Sequence, residues 1–460
     1  MLFLKQKSIV DFLSSIVRQR FASHTALKKI ISNIIWLFFQ NFFKMGLGLA
    51  IGVIVARYLG PDRFGLLNYA IAFVALFSPL VKLGFDGVVV RDIVACPDNA
   101  GALLGTSFSL KFFGSILLIV FAGITQYILD PKDLTSLYLV IIIAGGAIFQ
   151  SFETIDLWFR SQVLSKYTVI ANNVATLISS LFRLGLVLTG SGLIVFAFAV
   201  PLNFLIAAIG MVIAYRVYGG RFAEWEFKFE HVKSLLKDGW PLALQGLMIT
   251  VYMRIDQVML KTLTGSHEVG IYSAAVRLTE VWYIVPMAVC QSLLPSIVRA
   301  KKKDKDIYLY RIQTLYNLLL WLAIIIAIII TFSSGVIVSI LLGPQYIETA
   351  NIFAIQIWLG CWVFLNVARQ QWILAENKLI LLLYLNIVST LMNIVSNLIL
   401  IPMYGAFGAV IASFISATSA NLLSALFSKT MRFSLKMYFK SLVFPLYFIW
   451  NKGSDFLKIG

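Results

Sequence analysis

The stretch "MITVYMRIDQVMLKTLTG", residues 248–265, places Arg254 and Asp256 inside an otherwise apolar run, with Gln257 beside them. Further cations interrupt apolar runs elsewhere: Lys44, Lys82, Lys111, Arg183 and Arg277. The other acids are Glu280 and, near the end of its run, Glu153. A charge at the bilayer centre costs at least ~2.5–3.5 kcal/mol, so such residues face a bundle interior or a wet cavity. Lys82 and Arg183 stand near the ends of their runs and can snorkel to the surface. Lys44, Lys111, Arg254, Asp256, Arg277 and Glu280 are deeper.

Spacing decides which of these can pair locally. Arg277 and Glu280 are at i,i+3 and share a helix face. Arg254 and Asp256 are two apart and diverge, so each needs a partner from another helix, such as the one carrying Arg277. Even with both acids paired, deep cations remain without a counter-ion, and an anionic ligand would supply one. Arg binds phosphate bidentately. Lys44, Lys111, Arg254 and Arg277 are therefore the candidate anion-binding cations, the pyrophosphate head-group ligands if the resemblance described below holds, with Arg183 as a further candidate. Asp256 and Glu280 are candidate charge partners or carriers of a coupling ion. The competing reading is that these charges only lock helices together, and for Arg277 with Glu280 the two readings are balanced. Gln40, Asn41, Gln245, Gln356, Asn366 and Asn393 read mainly as interhelical hydrogen-bond glue.

The elements that must hold these side chains are membrane helices. The chain is 60% hydrophobic and only 13% charged, against ~25% charged in soluble domains. Apolar runs of about 20 residues recur, the length that crosses ~30 Å of hydrocarbon. Twelve spans are read, near 31–56, 66–83, 102–126, 136–155, 168–189, 193–214, 240–263, 270–295, 313–341, 349–372, 379–401 and 406–428. The ninth is long enough to be tilted or broken near Gly335. Of 38 Lys and Arg, 28 fall in the tails and one alternate set of gaps and 4 in the other set. Positive charge stays inside, which puts both termini in the cytoplasm.

The domain reading follows. Residues 1–29 form a cytoplasmic amphipathic segment without a cleavable signal sequence, in which Phe12, Leu13, Ile16 and Val17 share a face beside Arg18 and Arg20. Residues 30–214 form one six-helix lobe, 215–238 a connector, 239–428 a second lobe, and 429–460 a cytoplasmic or interfacial tail. Pro445 within 441–450 argues against a simple thirteenth span. An internal echo supports two halves: Gly60 and Gly65 of "LGPDRFGLLNYAIAF" match Gly265 and Gly270 of "TGSHEVGIYSAAVRL". Repeated halves with a site between them are common in secondary transporters.

Enzyme chemistry finds little support. Cys96, Cys290 and Cys361 are scattered, as are His24, His231 and His267, so no metal set or disulfide framework arises. No nucleophile triad, paired carboxylates or phosphate-cradling glycine loop stands out. "RAKKKDKD" (299–306) reads as a positive-inside loop touching anionic lipids, and no nucleic-acid partner is expected. No cofactor is expected beyond a coupling H+ or Na+.

"ARYLGPDRFGLLNYA" (56–70), "IDLWFRSQVLSKYTVIA" (155–171), "WPLALQGLMITVYMRIDQVML" (240–260), "EVGIYSAAVRLTEVWYIVP" (268–286) and "ARQQWILAENK" (368–378) resemble the O-antigen and polysaccharide flippases. These are Wzx-type members of the multidrug/oligosaccharidyl-lipid/polysaccharide exporter superfamily. The resemblance implies an all-α polytopic protein of about twelve helices in two lobes around a central cavity. It implies that an undecaprenyl-pyrophosphate-linked oligosaccharide is moved from the cytoplasmic to the periplasmic leaflet of a bacterial inner membrane by alternating access. It also implies, as partners, membrane lipids, a polysaccharide polymerase and a chain-length regulator. The alternatives are a drug or cation exporter of the same superfamily, which would want a negative cavity, and a membrane glycan polymerase or transferase, which would want a catalytic outer loop.

Overall fold

The computed structural model describes the backbone of residues 9–376, 380–428 and 431–443, and the side chains of most residues from 32 onward. All regular structure among the described residues is helical. Eight stretches are long and apolar enough to span a membrane, and Pro344–Gln356 with Leu359–Ile373, bent by 45°, makes a ninth. Two of the eight are folded back on themselves, at Gly60 and at Gly405. The helix Phe229–Leu263 has 35 residues, ample length to cross despite its charges. Counted this way, the twelve expected spans are present.

The reversal at Gly60 has a local cause. Its φ of 71° lies in the left-handed region, which costs little only without a Cβ. Pro61 follows, with no N–H to leave unpaired at the start of the second limb. Gly405, at φ 55°, turns the last two spans in the same way. The ninth span, Lys305–Leu341, is one continuous helix, so of the two readings, tilted or broken near Gly335, the break is absent. The connector is shorter than its sequence boundaries, because the helix of the seventh span already begins at Phe229. Residues 9–30 continue into the first span as one helix. The side chains of the amphipathic face expected there, and residues 444–460, lie outside the described residues.

The two glycine motifs meet each other. A Cβ on Gly65 would collide with the backbone of Ser266 and Gly270, and one on Gly270 with the backbone of Pro61. The internal echo is thus the place where the halves close on each other. Around it lies the largest buried cluster, with Phe64, Leu67 and Ala70 from one half and Val269, Ile271 and Ala274 from the other. Tyr346 Oη donates to the Ala56 carbonyl at 2.9 Å, and Gln345 Nε2 to that of Arg57 at 2.6 Å. Lys261 Nζ reaches Asp133 at 3.1 Å across the same seam. At the opposite, basic end, Gly46 and Gly48 of the first span and Gly246 of the seventh meet no neighbouring helix within 4 Å of a built Cβ. The connector crosses there, with Lys228 N donating to Thr106 Oγ1 at 3.0 Å and Trp225 packed against Phe108 and Tyr215.

Two predictions follow from this seam. Gly270→Val should disfavour closure at the Gly60 end by about 1–3 kcal/mol, the usual cost of overpacking. An engineered Asp62→Cys/His267→Cys pair should then cross-link at least fivefold more slowly than in the glycine parent. The second concerns Asp133, which caps the helix Leu134–Gly145. Burial alone would raise its carboxyl, but hydrogen bonds from the Ser136 hydroxyl and N–H, together with Lys261, outweigh it and hold the group below the ordinary carboxylate range. A depressed carboxylate stabilises above its unfolded value of ~4 and loses that contribution as pH falls through the folded value. The cross-seam tie should therefore be constant from about pH 8 to 5, and Asp133→Asn should weaken seam cross-linking throughout that range.

Candidate functional site

Span 5, Lys166–Leu188, brings Arg183 to the seam from one lobe, and the helix Ser266–Glu280 brings Arg277 from the other. Both line one cavity of about 50 Å³ with Gly52, Phe64, Asn68 and Phe196. The Arg277 guanidinium lies 5.4 Å from the centre of the Phe64 ring and occupies the space that a side chain on Gly52 would take. Arg183 and Arg277 are within electrostatic range of each other, and Arg254 is within range of Arg277. Among the described residues, none of the three has an ion-pair or hydrogen-bond partner. Several positive charges thus converge on a cavity whose lining includes no carboxylate, with Glu280 in electrostatic range of Arg277 from outside it, and Arg forks are shaped for the oxygens of a phosphate. Arg183 faces this cavity and does not snorkel outward.

The remaining sequence candidates divide. Lys111 is only 2% exposed and its Nζ holds Asp86 Oδ1 at 2.7 Å. It thus has a protein counter-ion and stands apart from the seam cavity. The partner is Asp86, which begins the helix after the second span, outside the spans searched for deep acids. Lys44 is exposed on the first span, in range of Glu153 and Asp156. Arg277 and Glu280 share a helix face as expected but form no ion pair. Glu280 instead lines a separate cavity inside the second lobe.

That second cavity, about 300 Å³, is also lined by Tyr252, Asp256, Tyr272, Arg369 and Asn386. Asp256 diverges from Arg254 as the spacing required and is 4% exposed. Its Oδ2 accepts from Tyr272 Oη at 2.6 Å and from Ser413 Oγ at 3.1 Å. Its Oδ1 accepts from Asn397 Nδ2 at 2.6 Å, and that same NH2 also donates to Asn393 Oδ1 at 3.1 Å. Asn397 Oδ1 and Asn393 Nδ2 are left buried with no hydrogen bond. A buried carboxyl surrounded by neutral donors, with no ion-pair partner among the described residues, is a group able to take up or release a proton.

Sequence reasoning missed most of this second group. Asn393 was read as helix glue, and Tyr272, Asn397 and Ser413 carried no charge to draw notice. One signal was available: Asn393 and Asn397, at i,i+4, share a face. Arg369, within the tenth span and absent from the sequence candidates, is 6% exposed and held by Asn366 and Asn421.

Residues 30–301 match the family described as polysaccharide biosynthesis protein, and residues 241–399 match MatE. The chain is 23% identical over 402 residues to "Probable flippase AglR" of Haloferax volcanii, covering 84% of this chain and 81% of that one. It is 20% identical over 404 residues to the capsular polysaccharide biosynthesis protein CapF of Staphylococcus aureus, covering 84% and 96%. In structure it resembles the lipid II flippase MurJ in an inward closed conformation, with TM-score 0.69, 15% identity, and 90% and 92% of the two chains covered. That likeness establishes the fold. Since the match over residues 30–301 takes in more than half of its length, the chain belongs to the polysaccharide biosynthesis protein family.

Proposed function

We propose that this protein is an alternating-access flippase for a pyrophosphate-linked glycolipid. Its cargo is an undecaprenyl-pyrophosphate-linked oligosaccharide, an O-antigen or related repeat unit. The basic end faces the cytoplasm of a bacterial cell, as the charge asymmetry requires, and the cargo leaves on the periplasmic side of the inner membrane. The observation that carries this reading is the convergence of Arg183 and Arg277, one from each lobe, on a seam cavity that holds no acid.

The physics of the cargo fits the site. A sugar head group in hydrocarbon would leave many hydroxyls unsatisfied, at about 4–8 kcal/mol each on a cyclohexane reference. A polar path between the lobes removes that barrier while the lipid tail stays in the bilayer. Pyrophosphate bridging Arg183 and Arg277 supplies the charge the two arginines lack, with Arg254 reinforcing it. Lys44, exposed on the first span, sits on the approach from the basic end. The lobes, residues 30–214 and 239–428, then rock about the connector 215–238, and the Gly65–Gly270 contact opens. Helix Ser266–Glu280 ends in a 3-10 turn, Val281–Tyr283, directly after Glu280. Such interruptions mark hinges.

Asp256 is the coupling residue in this reading, holding a proton or sodium ion with Asn393, Asn397 and Ser413. The lack of any ion-pair partner for this buried carboxyl among the described residues supports that role. Glu280 lines the same cavity while sharing a helix with Arg277, so charge in the ion site is felt at the seam. A drug exporter is the second reading, favoured by the MatE match over residues 241–399. An acid-free cluster of arginines disfavours its cationic substrates.

Reconstitution with a labelled lipid-linked oligosaccharide tests these roles. Arg183→Gln and Arg277→Gln should each lower leaflet transfer at least tenfold at normal protein level, as expected for losing a charged hydrogen bond of about 1.5–3 kcal/mol. Wild-type transfer in both variants would remove the seam as the head-group site. Asp256→Asn should retain cargo binding and lose the dependence of transfer on an ion gradient. Lys111→Gln should instead leave cargo transfer per molecule close to wild type, because Lys111 already has Asp86 as its counter-ion and stands apart from the seam.

A further inference from the structure

An apolar groove of about 480 Å³ runs between the fifth and sixth spans, on the outside of the first lobe. Ile170, Val174, Ile209 and Ile213 form its walls, each 40–58% exposed. Ala171 and Gly210 form its floor, where a Cβ on Gly210 would stand 2.9 Å from that of Ala171. Small side chains let the two helices touch there, and the branched ones flanking them leave a channel. On the sixth span the lining runs from Ile206 to Tyr218. That is about 18 Å of helix at 1.5 Å per residue, comparable to half of the ~30 Å hydrocarbon thickness.

The groove has a polar mouth at its basic end only. Tyr167 and Tyr218 close in there, with ring centroids 4.1 Å apart. Lys166 and Arg216 flank them; both are exposed and, among the described residues, neither has an acidic partner. Aromatic rings hold these cations in place. Lys166 Nζ lies 5.5 Å from the Trp36 ring centre and 5.9 Å from that of Tyr167, and Arg216 Cζ lies 5.7 Å from that of Phe222. A leaflet-deep apolar channel ending at two unpaired cations is complementary to a lipid that is apolar along its length and anionic at its head. Basic pockets between membrane helices bind such head groups.

We propose that this groove binds one acyl chain of an anionic phospholipid from the leaflet at the basic end, with its phosphate at Lys166 and Arg216. The cargo is a poor fit to this place. Arg183 leaves the same helix nine residues after Val174 and twelve after Ala171, so it points about 120–180° away from the groove. The seam and the groove are on different faces of the fifth span, and the lipid is a resident of the lobe wall.

Native mass spectrometry of the full-length protein in detergent tests this, with phosphatidylglycerol, phosphatidylcholine and undecaprenyl phosphate as probes. Phosphatidylglycerol should bind at least tenfold more tightly than phosphatidylcholine. Lys166→Gln/Arg216→Gln, and separately Ile213→Trp, which fills the channel from its wall, should each abolish that preference. Lys233→Gln/Lys237→Gln removes the same charge from the exposed start of the seventh-span helix and should leave it unchanged. Equal binding of the two phospholipids, or a preference that survives both groove variants, would overturn the proposal. Displacement of phosphatidylglycerol by equimolar undecaprenyl phosphate would also overturn it, by making the groove a carrier-lipid site.

Discussion

A cation inside a membrane protein must find an anion, a cavity or the interface, and the arrangement of this chain turns on which cation finds which. Lys111 finds Asp86, and the pair closes a polar contact within the first lobe. Arg369 finds the carbonyl oxygens of Asn366 and Asn421. Arg183 and Arg277 find neither. They stand on opposite sides of a seam, lining one cavity without an ion-pair partner among the described residues. Low dielectric strengthens both their mutual repulsion and their attraction to an anionic ligand.

Close backbone packing makes that geometry possible. The seam closes at one end because Gly65 and Gly270 present no side chain to each other's helix turns. Gly52 does the same for Arg277, leaving room for its guanidinium to lie against the first span. Side chains at these positions would hold the lobes apart, and the two arginines would no longer share a cavity. Glycine here is a packing requirement, distinct from its role at Gly60, where the backbone conformation demands it.

The second lobe keeps its own polar system away from the seam. Asp256 is satisfied by a hydroxyl pair and an amide, all neutral. No ion pair joins it to Arg254, which lies on another face of the same helix, or to Arg369, which lines the same cavity but is held by Asn366 and Asn421. Among the described residues the Asp256 cavity and the arginine seam are thus distinct polar systems. Arg254 with Asp256 on one helix, and Arg277 with Glu280 on the next, are where the two systems come closest in sequence.

Much of this was legible from the residues alone. Hydropathy set the twelve spans, since the bilayer imposes the same length on every crossing. The glycine echo announced two halves, and the intramembrane charges named most of the candidate site, because each is costly enough to demand a reason. What the sequence could not settle was partnership. Lys111 and Arg277 look alike as isolated cations in apolar runs; one meets a carboxylate from the loop after the second span and the other meets an empty seam. Asn393, Asn397 and Ser413 look like ordinary polar residues until the fold gathers them around Asp256. Which side chains face one another across helices far apart in the chain depends on helix rotation and crossing. Those are set by packing summed over whole faces, and only the tertiary structure decided them.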